Sequence, residues 1–202
     1  MAPLWLASAS PRRVELLRLA GLSPLVLPAQ VPEARRRGEG PAAMVLRLAR
    51  SKAGAVAARL AARGERRGLV LAADTTVALG SRVLEKPRGP AGARAMLRAL
   101  SGRSHTVHTG VCIVDLALSG RRTASRGAAD ERAAFVESTR VVFRPLTPAE
   151  IAAYGATGEP MDKAGGYGIQ GAAAAFVRRI EGDYSAVVGL PLARVVEAIA
   201  CR

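Results

Sequence analysis

Leu69-Val70-Leu71-Ala72-Ala73-Asp74-Thr75-Thr76 is the stretch on which the fold reading turns. Its apolar run shows no alternation, which suits a central strand covered on both faces of an α/β sheet. Asp74 then stands at the end of that strand, where open α/β sheets place their ligand sites. A partly desolvated aspartate there can act as a general base or hold a divalent ion. The bland alternative is a turn residue that closes the strand.

Upstream, residues 4–7 read as a short buried strand. Ser8-Ala9-Ser10-Pro11 then starts a helix, with Ser10 as cap, Pro11 at the first helical position and Gly21 past its end. Residues 25–29 look like a second strand. Pro41 opens a longer helix, with Val45, Leu48, Ala49, Lys52, Val56 and Leu60 at helical spacing. Downstream, residues 90–100 read as a helix, and residues 106–116 and 133–143 as long strands. Thr147-Pro148-Ala149-Glu150 is a capping box that starts another helix. Residues 176–180 and 185–188 read as strands, and Pro191 opens the last helix. Residues 119–130, rich in glycine and arginine, read as a hairpin loop. The expected fold is α/β with a mixed sheet, as one domain over residues 1–202.

Composition narrows the function. The 202 residues carry a formal charge of +14. Such a balance attracts nucleic acid, acidic membranes or phosphorylated small molecules. Clusters at Arg35 to Arg37, Arg66-Arg67 and Arg121-Arg122 read mainly as solvated loops. Only seven residues are Phe, Trp or Tyr, few for a protein that stacks bases. No apolar run reaches the roughly 20 residues of a membrane helix, and the N-terminus lacks the look of a signal peptide. Cys112 and Cys201 lie too far apart in sequence to suggest a disulfide framework or zinc site, so a cytoplasmic location is expected.

The alphabet is itself informative. Of 30 basic residues only Lys52, Lys86 and Lys163 are lysines, and only Gln30 and Gln170 are glutamines. A composition that replaces lysine wherever arginine serves makes each remaining lysine a candidate for work only a compact point charge can do.

Three places could carry chemistry. The turn Ala7-Ser8-Ala9-Ser10-Pro11-Arg12-Arg13 offers hydroxyls, arginines and a helix N-terminus to an anion. Asp74-Thr75 is followed at a short distance by Leu84-Glu85-Lys86-Pro87, a lysine in a rigid turn. The run from Gly158 to Gly171 holds five glycines with Asp162, Lys163 and Gln170, and glycine permits close approach of backbone to a ligand. Glu33, in the loop past the second strand, reads alone as an exposed glutamate. His105 and His108 are spaced oddly for one strand face and read as structural.

Taken in order, Leu6-Ala7-Ser8-Ala9-Ser10-Pro11-Arg12-Arg13, Ala73-Asp74-Thr75, Leu84-Glu85-Lys86-Pro87, Leu100-Ser101-Gly102-Arg103-Ser104-His105 and the Asp162 to Gly171 run resemble the Maf family of nucleotide pyrophosphatases. The resemblance continues through Gly182-Asp183-Tyr184 to Gly189-Leu190-Pro191 and so covers nearly the whole chain. It implies a two-lobed α/β fold with an elongated mixed β-sheet flanked by helices, an active-site cleft between the lobes, and a homodimer. It implies hydrolysis of a nucleoside triphosphate at the α-phosphorus with Mg²⁺ or Mn²⁺. The catalytic positions fall on Asp74, Glu33, Lys52 and Lys86, with Glu33 and Asp74 at the metal. Substrate positions fall on Ser8, Arg12, Arg13, Thr75 and Gln170, joined by Lys163 from the glycine-rich run. Pro32 departs from the pattern, standing where relatives often carry a second acidic residue. The form Tyr167-Gly168-Ile169-Gln170-Gly171 resembles the subgroup acting on dTTP and UTP; pyrophosphatases of 7-methyl-GTP or CTP are the alternatives within the class. A nucleic-acid-binding protein or a cell-division interaction protein are the alternatives outside it.

Overall fold

The computed structural model describes residues 2–117 and 131–201, so the hairpin expected at residues 119–130 lies outside the described residues. Among the described residues seven strands, β1 (Leu4–Leu6), β2 (Leu25–Val26), β3 (Leu69–Leu79), β4 (Arg82–Leu84), β5 (Ser104–Asp115), β6 (Glu131–Phe143) and β7 (Val177–Glu181), form one sheet. Its order is β2-β1-β3-β5-β6-β7, with β4 beside β3. β1 runs parallel to β2 and β3, whereas the β3–β4 and β6–β7 pairs are antiparallel, so the sheet is mixed as expected. Among the described residues six α-helices accompany it: α1 (Pro11–Leu19), α2 (Pro41–Ala62), α3 (Pro90–Leu100), α4 (Pro148–Ala156), α5 (Tyr184–Val188) and α6 (Leu192–Ala200). The chain divides into two compact units, residues 1–74, 109–136 and 189–202, and residues 75–108 and 137–188.

In the first unit, α2 buries the stripe read from the sequence: Val45, Leu48, Ala49, Val56 and Leu60, with Lys52 on the same side. Ala49 and Ala53 of α2 meet Ala72 of β3 and Cys112 and Val114 of β5. Gly110 of β5 shows how close helix and strand come, since a Cβ built there would lie 2.5 Å from the Val45 carbonyl carbon. Gly110→Ala should therefore push α2 away and destabilise the protein by about 1–3 kcal/mol, read as a drop in chemical-denaturation midpoint. An unchanged midpoint would mean the helix yields freely. Helix α1 ends on Gly21, at φ +74°, in a Schellman pattern: Gly21 N–H donates to the Arg18 carbonyl and Leu22 N–H to that of Leu17.

The second unit holds most of the aromatics. His105, Phe143 and Tyr167 pack edge to face around one another, and Phe176 joins them against Tyr154. The expected capping box opens α4, with Thr147 Oγ1 accepting from Glu150 N–H and Glu150 Oε2 from Thr147 N–H. The run from Gly158 to Gly171 folds into 3₁₀ turns at Glu159–Asp162 and Ala164–Gly166, followed by a third at Ala172–Phe176.

Four local expectations are corrected. Asp74 does not end its strand: β3 continues to Leu79, because Thr75, Thr76 and Val77 are β-branched and Val77 pairs with Leu84 of β4. Residues 185–188 are helical. The Asp183 carboxylate accepts Ala186 N–H at 3.1 Å and Ser185 O–H at 2.6 Å, which caps α5 and overrides the β-branched run. The second strand is only Leu25–Val26, ended before Pro28, whose ring removes a ladder donor. Ser10 makes no side-chain cap; Ser8 Oγ accepts the Ser10 N–H instead, at 3.2 Å.

Candidate active site

In the first unit three expected residues converge. Lys52 projects from the buried face of α2, and its ammonium lies 2.6 Å from Asp74 Oδ1 and 2.7 Å from Glu33 Oε1. The Asp74 side chain is 13 % exposed and that of Glu33 59 %, so the bridge runs from the interior outward. Burial raises the Asp74 carboxyl above the usual carboxylate range, and neighbouring Glu33 adds to the rise; Lys52 and Arg13 oppose it without cancelling it. The result is a carboxylate with enhanced proton affinity held on a fixed cation. Such a group is a better proton acceptor than a solvated carboxylate.

Beside it, Arg13 is buried and spends its guanidinium on the fold. Its Nε donates to the Gly189 carbonyl at 2.9 Å and one terminal nitrogen to Ser8 Oγ at 2.9 Å. Arg13 thus positions Ser8. With Arg13 and Ser10 N–H both donating to Ser8 Oγ, the hydroxyl's own hydrogen is left to donate to an anion. Arg12 is half-exposed on the first turn of α1. The arginine cluster at residues 35–37 lies exposed in the loop between β2 and α2, as read from the sequence. Arg47 pairs with Glu39 and holds its carboxyl down to about 2, while Glu39 accepts the N–H of Arg36 and gives its carbonyl to Arg35.

Thr75, half-buried, follows Asp74 on β3. Lys86, Lys163 and Gln170 belong to the second unit. Lys86 is exposed in the loop between β4 and α3, and that loop is tied to the glycine-rich run by Gly165 N–H donating to the Glu85 carbonyl. Lys163 is engaged locally: its ammonium donates to the Glu159 carbonyl at 2.7 Å and to Asp162 Oδ1 at 2.6 Å. Gln170 is exposed at a corner of the turn that Gly171 N–H closes onto the Gly168 carbonyl. The glycines admit side chains of the protein itself. A Cβ on Gly171 would sit 2.1 Å from Glu159 Oε1, one on Gly168 would lie 2.6 Å from Lys163 Cε, and one on Gly165 would lie 2.9 Å from Val77. The sequence reading did not single out Glu159 or Tyr154 as parts of this arrangement. A glutamate flanking a glycine-rich turn was the available signal for the first. His105 and His108 are structural as expected: His105 Nε2 lies 2.7 Å from the Tyr167 hydroxyl, and His108 Nδ1 lies 2.8 Å from Ser138 Oγ.

No group of three or more acidic, histidine or cysteine side chains forms a metal cluster among the described residues. Glu33 and Asp74 nevertheless supply oxygen ligands that meet on one cationic point, the donor chemistry a hard divalent ion requires. Among the described residues, no helix is long and apolar enough to cross a membrane.

Fold and site together define a mixed α/β protein with a part-buried aspartate-lysine pair near Arg13 at the start of α1. The profile of the Maf family, described as Maf-like protein, matches residues 3–201, and the chain belongs to that family. Among its relatives, the dTTP/UTP pyrophosphatase of Anaeromyxobacter sp. (strain Fw109-5) is 53% identical over 196 residues, covering 97% of this chain and 87% of the relative. That of Moorella thermoacetica is 52% identical over 200 residues, covering 99% and 95%. That of Hyphomonas neptunium is 50% identical over 192 residues, covering 95% and 91%.

Proposed function

We propose that the protein is a nucleoside triphosphate pyrophosphatase that converts dTTP and UTP to the monophosphate and pyrophosphate, the activity in the names of its relatives. The observation that carries the mechanism is the Lys52 ammonium bridging Glu33 and a part-buried Asp74 of raised proton affinity. Asp74 takes a proton from water as the water oxygen bonds to the α-phosphorus. The bridging P–O bond to the β-phosphate then breaks, and its electron pair leaves with pyrophosphate. Ser8 donates its hydroxyl hydrogen to a phosphate oxygen, Arg12 adds charge at the same helix start, and Lys52 keeps the Asp74 carboxylate oriented. Lys86 is assigned to phosphate charge and Gln170 to the base. Glu33 and Asp74 would hold Mg²⁺ or Mn²⁺, which supplies charge neutralisation on the phosphates when bound.

Purified protein incubated with a nucleotide panel and Mg²⁺ or Mn²⁺ in ¹⁸O-labelled water tests the reading. Label in the monophosphate is expected; label in the pyrophosphate would place the attack on the wrong phosphorus. A homodimer in the cytoplasm completes the proposal, and the dimer is read by light scattering.

Gln170 carries the base preference. Its amide offers an acceptor and donors on one plane, matching the adjacent carbonyl and N3–H of uracil or thymine. Gln170→Glu only accepts there, and its carboxylate faces the pyrimidine carbonyl oxygen. UTP and dTTP should lose at least about tenfold in kcat/KM relative to CTP and 7-methyl-GTP, since a mismatched polar edge forfeits discrimination. An unchanged ranking of the four substrates would remove Gln170 from base recognition.

The charge of +14 leaves the nucleic-acid reading to be tested. Scattered arginines release counterions on binding, so any DNA or RNA affinity should fall steeply between low and physiological salt. Sequence-dependent binding that persists at physiological salt would restore that alternative.

A further inference from the structure

We infer that Tyr154 and Glu159 are positioning residues for base selection: they fix the turn that presents Gln170, and so act on specificity without touching the nucleotide. The inference rests on Gln170 reading the base. The Tyr154 hydroxyl donates to Glu159 Oε1 at 3.0 Å and accepts the Gly168 N–H at 3.0 Å. Glu159 Oε2 accepts the Ala172 N–H at 3.3 Å. The turn from Gly168 to Gly171 is thus pinned on both flanks by one hydroxyl–carboxylate pair, with Gln170 exposed between the two anchors. A third hold lies just before it, where the buried Tyr167 hydroxyl meets His105 Nε2.

The packing explains why the turn has one conformation. The Glu159 carboxylate occupies the space where a side chain at Gly171 would stand. Lys163, anchored on the Glu159 carbonyl and Asp162, fills the corresponding space at Gly168. Loss of the Tyr154 hydroxyl frees the Gly168 N–H and one carboxylate oxygen together, which lets the turn shift on its glycines. An amide that must distinguish a carbonyl from an amine on a base edge depends on being held within a fraction of an ångström.

The test is a double-mutant cycle of Tyr154→Phe with Gln170→Ala, read as the kcat/KM ratio of UTP to CTP. Tyr154→Phe is expected to lower that ratio at least about fivefold, mainly through the KM for UTP, and to have no further effect on it in the Gln170→Ala background. A merely structural role would lower the melting temperature and the active fraction, which scales kcat alike for both nucleotides and leaves the ratio alone. Glu159→Gln, which keeps the shape but turns one acceptor into a donor, is carried in parallel should Tyr154→Phe fold poorly, with the same ratio expected. Gln170→Ala changing the ratio while both Tyr154→Phe and Glu159→Gln leave it intact overturns the positioning role and leaves the base reading standing. A change from Tyr154→Phe that adds fully to that of Gln170→Ala also overturns it, since the two would then act separately. Gln170→Ala leaving the ratio unchanged overturns the base reading and the inference with it.

Discussion

Asp74→Asn abolishes most turnover while the protein keeps its fold: kcat with UTP should fall at least about 10²-fold, the range for loss of a general base. The amide keeps the size of the carboxyl group and can still accept from Lys52 through its oxygen, so the contact at 2.6 Å has an isosteric replacement. It cannot take a proton from water, and it removes the buried negative charge that burial has made more basic. Loss of that charge also removes one of the two carboxylates assigned to the divalent ion. Added metal should therefore not restore the rate. Melting should stay close to the parent, because the neutral amide escapes the desolvation cost of the carboxylate it replaces. Wild-type rates with an undisturbed melting curve would take Asp74 out of the mechanism.

In the parent protein the same residue sets the acid limb of activity. The working form is the carboxylate, and its proton affinity is raised by burial, so kcat/KM should decline with falling pH above the usual carboxylate range. The sign is opposite to that of Glu39, whose carboxyl Arg47 holds down to about 2 and which stays ionised throughout.

The core of this site was legible in the sequence for definite reasons. α2 and α3 begin at Pro41 and Pro90 and run along clear apolar stripes, so the placement of Lys52 on a buried face followed from spacing alone. The scarcity of lysine marked Lys52 before any contact was known, and the structure finds it between two carboxylates. Strand ends were harder. Asp74 looked like a terminus because polarity rose there, yet the two threonines after it favour an extended backbone and β4 offers a partner. The segment at 185–188 misled because apolar β-branched residues fit a strand, while the deciding contact is the cap at Asp183. Long-range pairings were invisible for the same reason: the hold of Arg13 on Gly189 and the clasp of Tyr154 and Glu159 on the glycine-rich turn are created only by folding. A glycine reads as freedom in sequence; at Gly171 it marks a carboxylate already seated against the backbone.

Lys52→Met should cost at least about 10²-fold in kcat/KM and move the acid limb to higher pH, a combination that separates charge from packing. Methionine keeps an unbranched apolar stem for the α2 interface, where Lys52 lies on the same buried side as Val45, Leu48 and Val56. The ammonium alone is lost. Asp74 then faces Glu33 with only Arg13 left to oppose burial, so its proton affinity rises further and less of it is ionised at any given pH. Protonation also relieves the cost of an unpaired buried charge, so stability should fall less at low pH than at high pH. Lys52→Arg separates the remaining possibility. It restores the positive charge, and with it the position of the acid limb, but its planar fork cannot sit as a compact point between Oδ1 of Asp74 and Oε1 of Glu33. Turnover should therefore stay at least about tenfold low even where the pH profile is normal. If Lys52→Met leaves the acid limb where it was, the lysine does not govern the ionisation of Asp74. If Lys52→Arg turns over at the parent rate, geometry at that cation is irrelevant and the persistence of lysine at position 52 has no catalytic cause.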